Sequence, residues 1–455
     1  MELLKNIHKN YITLYLCKKS RFDGRFLVLL CLGFYFLLIF SASSFLNIKY
    51  YEFWKKLGVP AREDLFADLR VVTSGNECYR LGYNVYIKNP CNPFFHLGAF
   101  NYPKIWLSFS QLGLNQSHTF PIAIIIIVFF LVTFFLFIGR LNYAEGLIYS
   151  AILCSSSVML AMERANNDLI IFIILALVII FLTKRAKIIH YVSYFLLLFA
   201  SILKIYPIFA FTLLIRESPK KLLRLGCILI TSFTLYLVSE LNNIKLVFQN
   251  TPQVTFWSYG SKIIFITLIK DVKSFLKKIG IDKKYLYDLI PDLNMGKPLL
   301  LKLLAITLVG LLIIIGLLIL RNFLSWNRFK LQVEYFNNHL DRQFIDSFRV
   351  GASIYLGTFL FSNNWAYRLI FLIFVIPQLL NWIRIRGLFG LLSSFSLICI
   401  FLTLWIKTFT EGLGFYVDQI SNWFLFLYFL YSLSNTLPKW LQKRTLAILK
   451  ISQNT

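Results

Sequence analysis

The chain has 455 residues, of which 58% are hydrophobic and 15% charged, and its formal net charge is +26. Its mean hydropathy of +0.68 implies more apolar surface than one soluble core needs, which excludes an ordinary soluble globular protein. Lysine and arginine gather at the ends of apolar runs, as topogenic signals do, rather than on one polar domain, and this argues against a nucleic-acid partner.

Apolar runs follow one another along most of the chain and predict an all-α polytopic membrane protein. Several of them, such as the run at 299–320, reach the length of helix that crosses a hydrocarbon core. We expect about twelve spans, at 26–46, 120–138, 146–162, 168–183, 188–203, 207–215, 225–241, 299–320, 347–361, 367–381, 387–406 and 420–436.

Short basic segments between these runs predict the orientation of the spans. If the basic segments face the cytoplasm, every span alternates correctly and both termini lie inside. The chain then divides into a cytoplasmic basic segment at 1–25, a transmembrane domain at 26–436 and a cytoplasmic tail at 437–455. Two long extracytoplasmic loops, at 47–118 and 242–298, belong to the transmembrane domain.

The apolar stretch 188–215 has basic flanks at both ends, so a single span would leave one flank on the wrong side of the membrane. We therefore predict a hairpin whose tip is at 204–207, where Pro207 breaks the helix. The second arm is too short to span alone, which favours a partly re-entrant segment covered by its neighbours.

Two of the seven cysteines, Cys78 and Cys91, share one polar segment that we place outside the cytoplasm. A disulfide between them would persist in that compartment. Two free thiols are the alternative.

Ionisable and polar residues converge at the ends of spans on the side away from the cytoplasm. A charge at membrane depth costs about 2.5 kcal/mol or more, so such charges usually face a cavity or pair with one another. We therefore predict a site there. Its candidate residues are Asp68, Arg70, Asn101, Tyr102, Glu163, Arg164, Asn167, Asp168, Lys204, Tyr206, Asn364, Tyr367 and Arg368.

A structural interpretation of the same residues stays open. In the turn at 163–168, Asn167 or Asp168 would cap the next helix and Arg164 would pair with Asp168. Lys204 and Arg368 would then simply extend their charged ends to the membrane interface.

Five short pieces of the sequence, in order along the chain, resemble glycosyltransferase family 87. These are the polyprenol-phosphate-mannose-dependent mannosyltransferases and their bacterial relatives in the GT-C superfamily. The pieces are DLRV at 68–71, NYP at 101–103, ERANNDL at 163–169, KIYP at 204–207 and NNWAYR at 363–368. The family often has glycine where Ala165 stands, a small change that should preserve the turn.

The resemblance implies a GT-C-like bundle in a bacterial inner membrane, with its active site outside the cytoplasm. It implies transfer of a hexose, mannose being expected, from a polyprenyl-phosphate-sugar donor to a glycolipid or glycan acceptor. It also implies an acidic catalytic base in the first loop, and the matching residue is Asp68, although Asp64 and Glu63 are close enough to be confused with it.

The chemistry of this transfer suggests roles for the remaining candidates. The departing phosphate needs positive charge, so Arg164, Lys204 and Arg368 are the expected clamp, and inversion by direct displacement is the expected course. The other polar candidates would bind sugar hydroxyls or line the lipid groove. We expect neither a metal nor another cofactor, because the cations would neutralise the phosphate.

A secondary transporter or a flippase for lipid-linked sugars is the alternative, since many carriers also have about twelve spans with buried charges. The absence of a convincing internal repeat and the long first loop that bears Asp68 both argue against a transporter.

Overall fold

The computed structural model describes residues 23–45, 48–93, 99–252, 257–264, 342–361, 364–385, 387–405, 413–438 and 440–441. The predicted span at 299–320, most of the N-terminal basic segment, most of the C-terminal tail and much of the loop at 242–298 lie outside these residues.

The described residues are mainly helical. The α-helices are Gly24–Phe45, Tyr50–Lys56, Ala67–Arg80, Thr119–Ile138, Tyr143–Leu153, Ser156–Glu163, Asp168–Phe181, Lys187–Leu203, Pro219–Ser239, Leu241–Asn250, Arg342–Phe361, Ile376–Ile383, Leu388–Trp405 and Leu413–Asn435. The 3-10 helices are Lys104–Leu112, Gln116–His118, Tyr206–Arg216 and Ala366–Phe374. Strand Ser258–Tyr259 pairs antiparallel with strand Asn364–Trp365, so that Ser258 lies opposite Trp365.

Four helices in the described residues are long and apolar enough to cross a membrane, and six are if each of two bent pairs counts as one span. The four are Gly24–Phe45, Gln116–Ile138, Pro219–Ser239 and Leu388–Trp405. This composition fits an all-α membrane protein. The count of about twelve spans stays a prediction.

Two predicted spans are bent rather than straight. The span predicted at 146–162 consists of Tyr143–Leu153 and Ser156–Glu163, which meet at 58°. Ser155 lies between the two helices. Its hydroxyl donates to the carbonyl of Ile152 at 2.6 Å at the end of the first helix, and Ser155 is the N-cap of the second. The span predicted at 367–381 bends by 56° between Ala366–Phe374 and Ile376–Ile383, where Pro377 removes a helix hydrogen bond.

The segment predicted as a long first loop contains helices. Helix Ala67–Arg80 has buried residues all around its axis, among them Leu69, Val72 and Cys78, so it is enclosed by its neighbours rather than lying on the surface. The indole Nε1 of Trp106 donates to the carbonyl of Leu203 at 3.0 Å and fastens the segment to the top of the neighbouring helix.

The predicted hairpin breaks where the proline pattern indicates. Helix Lys187–Leu203 ends at Lys204, whose backbone is extended, and the 3-10 helix Tyr206–Arg216 packs back beside the first arm. The break therefore leaves Lys204 at the tip.

The centre of the bundle is formed by helices Asp168–Phe181 and Arg342–Phe361 with the bent pair around Pro377. Phe172 stacks on Phe374 with ring centroids 4.5 Å apart, and most residues of Arg342–Phe361 are buried. These elements fix the ends of the chain segments that carry the predicted site residues.

Helices Gly24–Phe45 and Tyr143–Leu153 pack with their backbones in close contact. A Cβ atom added to Gly146 would lie 2.7 Å from the carbonyl oxygen of Gly24 and 2.9 Å from its Cα. Only glycine allows this approach, as in small-residue packing between membrane helices.

We expect Gly146→Leu to lower the free energy of unfolding by about 1–3 kcal/mol, because overpacking must push the two backbones apart. Thermal unfolding in detergent, followed by tryptophan fluorescence, measures the loss. Gly226→Leu is the matched control, since a Cβ at Gly226 meets nothing within 4 Å. Equal melting temperatures for the two variants would contradict the close packing at Gly146.

Candidate functional site

A cavity of about 170 Å³ opens between helix Ala67–Arg80, the turn at 164–167 and the strand pair. It is large enough for a small polar ligand such as a sugar headgroup. Its lining residues are Arg62, Ala67, Asp68, Val71, Asn92, Ala99, Asn101, Tyr102, Arg164, Thr251, Pro252, Trp365 and Tyr367. Five predicted site residues are therefore in this wall: Asp68, Asn101, Tyr102, Arg164 and Tyr367.

Asp68 is held at the cavity by the start of its helix. Phe66 has a left-handed backbone with φ 59°, after which the helix begins at Ala67 and presents Asp68 in its first turn. The side chain of Asp68 is 17% exposed. Among the described residues, Asp68 is the only carboxylate that lines the cavity.

The turn between helices Ser156–Glu163 and Asp168–Phe181 carries the second side of the site. Ala165 has φ 43°, a left-handed conformation that costs an alanine about 1–2 kcal/mol and that glycine adopts freely. This explains why glycine would be acceptable at this position. The carbonyl of Arg164 accepts from the backbone N–H of Leu69 at 3.3 Å, which ties the turn to the helix of Asp68.

Asn166 connects the two sides of the site. Its amide Nδ2 donates to Asp68 Oδ2 at 2.5 Å. Its Oδ1 accepts from the backbone N–H of Asp168 at 2.8 Å and from Lys204 Nζ at 3.1 Å. Asn166 was not among the predicted site residues, although it lies inside the piece ERANNDL at 163–169.

Behind the cavity wall, Asp168 is fully buried in a cluster of cations. Its carboxylate forms an ion pair with Lys204 Nζ and accepts from the Tyr206 hydroxyl at 2.7 Å. Arg368 Nε lies 3.5 Å from Asp168 Oδ2, and the guanidinium of Arg368 also donates to Asn364. Lys204 and Arg368 therefore do not extend to an interface, and that interpretation is wrong.

Arg164 pairs with Asp68 and not with Asp168, so the alternative pairing within the turn is also wrong. Arg164 NH1 lies 3.5 Å from Asp68 Oδ1, and NH2 donates to the carbonyl of Pro60 at 3.3 Å. Its guanidinium lies 4.8 Å from the ring centroid of Trp365. The predicted side-chain cap by Asn167 is absent too, because Asn166 accepts from the N–H of Asp168 instead.

Two residues that the sequence analysis missed stand beside Arg164 in the cavity wall. Burial and the neighbouring charge of Arg164 lower the pKa of the Arg62 guanidinium, which still remains charged at neutral pH. Trp365 lies between Asn364 and Tyr367, which were selected, and only its stacking on Arg164 identifies it. Arg62 belongs to no motif, so no sequence pattern indicates that it lies at the site.

Eight predicted site residues do not line the cavity. Five of these belong to the cluster around Asp168, and the other three are Arg70, Glu163 and Asn167. Glu163 and Asn167 are buried. In the described part of the chain, the polar atoms of their side chains have no hydrogen-bond partner. The backbone N–H of Arg62 lies close to the Glu163 carboxylate.

Cys78 and Cys91 are joined by a disulfide. Cys78 belongs to the helix that carries Asp68, and Cys91 precedes Asn92, which lines the cavity. The carbonyl of Cys91 also accepts from Gln116 Nε2 at 2.9 Å. The bond therefore joins the helix of Asp68 to the segment that leads to Asn92.

Comparisons with known proteins give no match for this chain among family models, curated proteins or solved structures. Within the described residues, no group of three or more His, Cys, Asp and Glu side chains is arranged to hold a metal ion.

We expect Asp168→Asn to lower the free energy of unfolding by about 3–5 kcal/mol, because Lys204 and Arg368 would stay buried without their counter-charge. Thermal unfolding in detergent measures this loss. The double variant with Lys204→Met removes one charge of each sign and should lose less than Asp168→Asn alone. A double variant that loses more than the single one would contradict the pairing.

We expect alkylation of the unfolded protein to leave Cys78 and Cys91 unmodified until a reductant is added. Peptide mass spectrometry measures the modification, and Cys227, which is an exposed free cysteine, serves as the internal control. Reduction should also lower stability by about 2–4 kcal/mol, since the bond restricts the unfolded chain. Alkylation of both residues without reductant would contradict the bond.

Proposed function

We propose that the chain is a membrane glycosyltransferase related to family 87. It would move a hexose from a polyprenyl-phosphate-sugar donor to a glycolipid or glycan acceptor on the extracytoplasmic side of a bacterial inner membrane. The supporting observation concerns the cavity wall. In the described part of the chain, Asp68 is the single carboxylate that lines the cavity, and two arginines line it as well. About twelve spans with both termini in the cytoplasm belong to the same proposal.

The reaction needs one base and no general acid. Asp68 would take the proton from the acceptor hydroxyl as that oxygen attacks the anomeric carbon, while the bond between this carbon and the phosphate oxygen breaks. The electron pair of that bond leaves with the phosphate. Since the leaving group is already a stable anion, it needs no proton, unlike the alkoxide of a glycoside. Direct displacement of this kind inverts the anomeric carbon.

The leaving phosphate would be stabilised by two layers of cations. Arg164 and Arg62 line the cavity, and arginine suits phosphate because its planar fork grips two oxygens. Lys204 and Arg368 lie one layer deeper, on Asp168. In the group of Asp68, Asp168, Arg164, Lys204 and Arg368, three cations face two carboxylates, so one positive charge remains for an anionic ligand.

The sugar and the lipid of the donor have different surroundings. Tyr102 and Tyr367 line the cavity with Asn101, which offers aromatic faces and an amide to a sugar ring. The polyprenyl chain would approach laterally between apolar helices, whose outer faces are largely exposed. A disulfide in the segments that carry Asp68 and Asn92 is consistent with a site outside the cytoplasm.

A secondary transporter remains the second candidate function. Bent helix pairs beside buried charges also occur in carriers, and here the bent pair Tyr143–Leu153 and Ser156–Glu163 ends at the turn at 164–167. A carrier would move its solute across a sealed membrane without breaking a bond. Release of polyprenyl phosphate therefore distinguishes the two functions.

We expect the purified protein in lipid nanodiscs to release polyprenyl phosphate from labelled polyprenyl-phosphate mannose when a membrane glycolipid extract is the acceptor. Asp68→Asn should slow this release by about 100-fold or more, the usual contribution of a general base. Binding of the donor should change little. Because the expected clamp consists of protein cations, a chelator should leave the rate unchanged.

Glu63→Gln is the matched control, since the carboxylate of Glu63 is exposed and pairs only loosely with Lys49 at 3.9 Å. Equal rates for wild type and Asp68→Asn would remove Asp68 as the base, and Asp64 would be tested next. If neither protein releases the carrier while proteoliposomes accumulate a labelled lipid-linked sugar, the transporter or flippase function would replace the enzyme.

A further inference from the structure

The side chain of Asn166 hydrogen-bonds both to Asp68 and to Lys204 of the buried cation cluster. It is fully buried. Its Nδ2 lies 2.5 Å from Asp68 Oδ2, and its Oδ1 lies 3.1 Å from Lys204 Nζ. Asp68 and Lys204 belong to distant parts of the chain, so Asn166 joins two elements that sequence proximity does not.

Chemistry fixes the orientation of this amide. The oxygen of Asn166 faces two donors, the ammonium of Lys204 and the backbone N–H of Asp168. The nitrogen faces an acceptor, the carboxylate of Asp68. Turning the amide over would place its N–H groups against an ammonium and its oxygen against a carboxylate, so only one orientation satisfies all partners.

The backbone holds Asn166 as firmly as its side chain does. The N–H of Asn166 donates to the carbonyl of Ala161 at 2.9 Å, and Ala165 before it is in the left-handed conformation. A residue in such a conformation persists only where the surrounding structure imposes it. Strain of this kind is often found beside functional sites.

We propose that Asn166 is a positioning residue for Asp68, which aims the carboxylate of Asp68 into the cavity and connects it to Lys204. This inference rests on the proposed function. A carboxylate can accept about four hydrogen bonds, so the bond from Asn166 fixes Asp68 Oδ2 while leaving lone pairs for the acceptor hydroxyl.

Asn166→Asp separates this role from simple capping of the turn. The new carboxylate can still accept from the N–H of Asp168 and from Lys204, so the turn keeps its cap. It cannot donate to Asp68, and it places a like charge against that residue. Two carboxylates at this distance cannot both ionise easily, so Asp68 would hold its proton to higher pH.

The pH dependence of the reaction rate also reflects the other charged and titratable groups that face Asp68. They come from the loop before its helix, from the turn, from the hairpin tip and from the strand pair: Arg62, Tyr102, Glu163, Arg164, Lys204 and Tyr367. Of these groups, Lys204 donates directly to the side chain of Asn166, so its surroundings change with a substitution at Asn166.

The test measures release of polyprenyl phosphate from labelled polyprenyl-phosphate mannose at several pH values. We expect Asn166→Asp to lower kcat by about 100-fold with the KM for the donor nearly unchanged. The acid limb of its kcat/KM profile should move up by about one pH unit or more. Asn84→Asp is the matched control, because Asn84 is exposed and uses only its oxygen as an acceptor.

A second measurement needs no donor. An apolar carbodiimide reacts with protonated carboxyl groups, and peptide mass spectrometry locates the adduct. We expect the peptide that contains Asp68 to become labelled at higher pH in Asn166→Asp than in wild type. Unchanged kinetics and unchanged labelling would overturn the role of Asn166 while leaving the proposed function intact. A wild type that transfers no sugar, with labelling shifted as expected, would overturn the proposed function and confine Asn166 to the ionisation of Asp68.

Discussion

The pairing of Asp168 with Lys204 and Arg368 is the interaction on which the arrangement of this protein depends. All three residues are buried or nearly so, and charges taken out of water are stable only when they satisfy one another. These three residues connect the start of helix Asp168–Phe181, the tip of the hairpin and the 3-10 helix Ala366–Phe374. The turn at 164–167, the hairpin tip and the segment after the strand pair are therefore attached to this cluster.

A second ion cluster lies at the C-terminal end of helix Asp168–Phe181. Asp346 accepts from Arg216 NH1 at 2.5 Å and from Arg349 NH1 at 3.1 Å, while Arg216 NH2 donates to the carbonyl of Leu182 at 3.0 Å. Helix Asp168–Phe181 has 14 residues and so spans about 21 Å between the clusters. The chain thus fastens its central helix at both ends with ion pairs and leaves the length between them apolar.

Hydropathy alone predicted much of the fold, because an apolar run of fixed length has few alternatives to a helix. The runs at 26–46 and 120–138 correspond to helices Gly24–Phe45 and Thr119–Ile138. The bends could not be predicted in the same way. They depend on Ser155 and Pro377, and a proline or a serine in an apolar run bends a helix only where tertiary packing accepts the freed backbone groups.

The positions of polar residues at the ends of apolar runs predicted a common site, but they did not predict which residues pair within it. Arg164 and Asp168 are four residues apart, a spacing that pairs side chains only in a continuous helix. The left-handed Ala165 interrupts that helix and turns Arg164 toward Asp68. Arg62 reaches the cavity through the path of a loop, and no local pattern records that path.

The two aspartates of the site show how the same side chain acquires different tasks. Asp168 is fully enclosed and held by Lys204, Arg368 and Tyr206, so its charge is already used. Asp68 faces the cavity, and its partners within the described residues are Asn166 and a more distant Arg164. A carboxylate can act on a ligand only if its charge is not consumed by the protein. The number of partners, rather than the residue type, therefore separates the carboxylate that holds the fold together from the one that is available for chemistry.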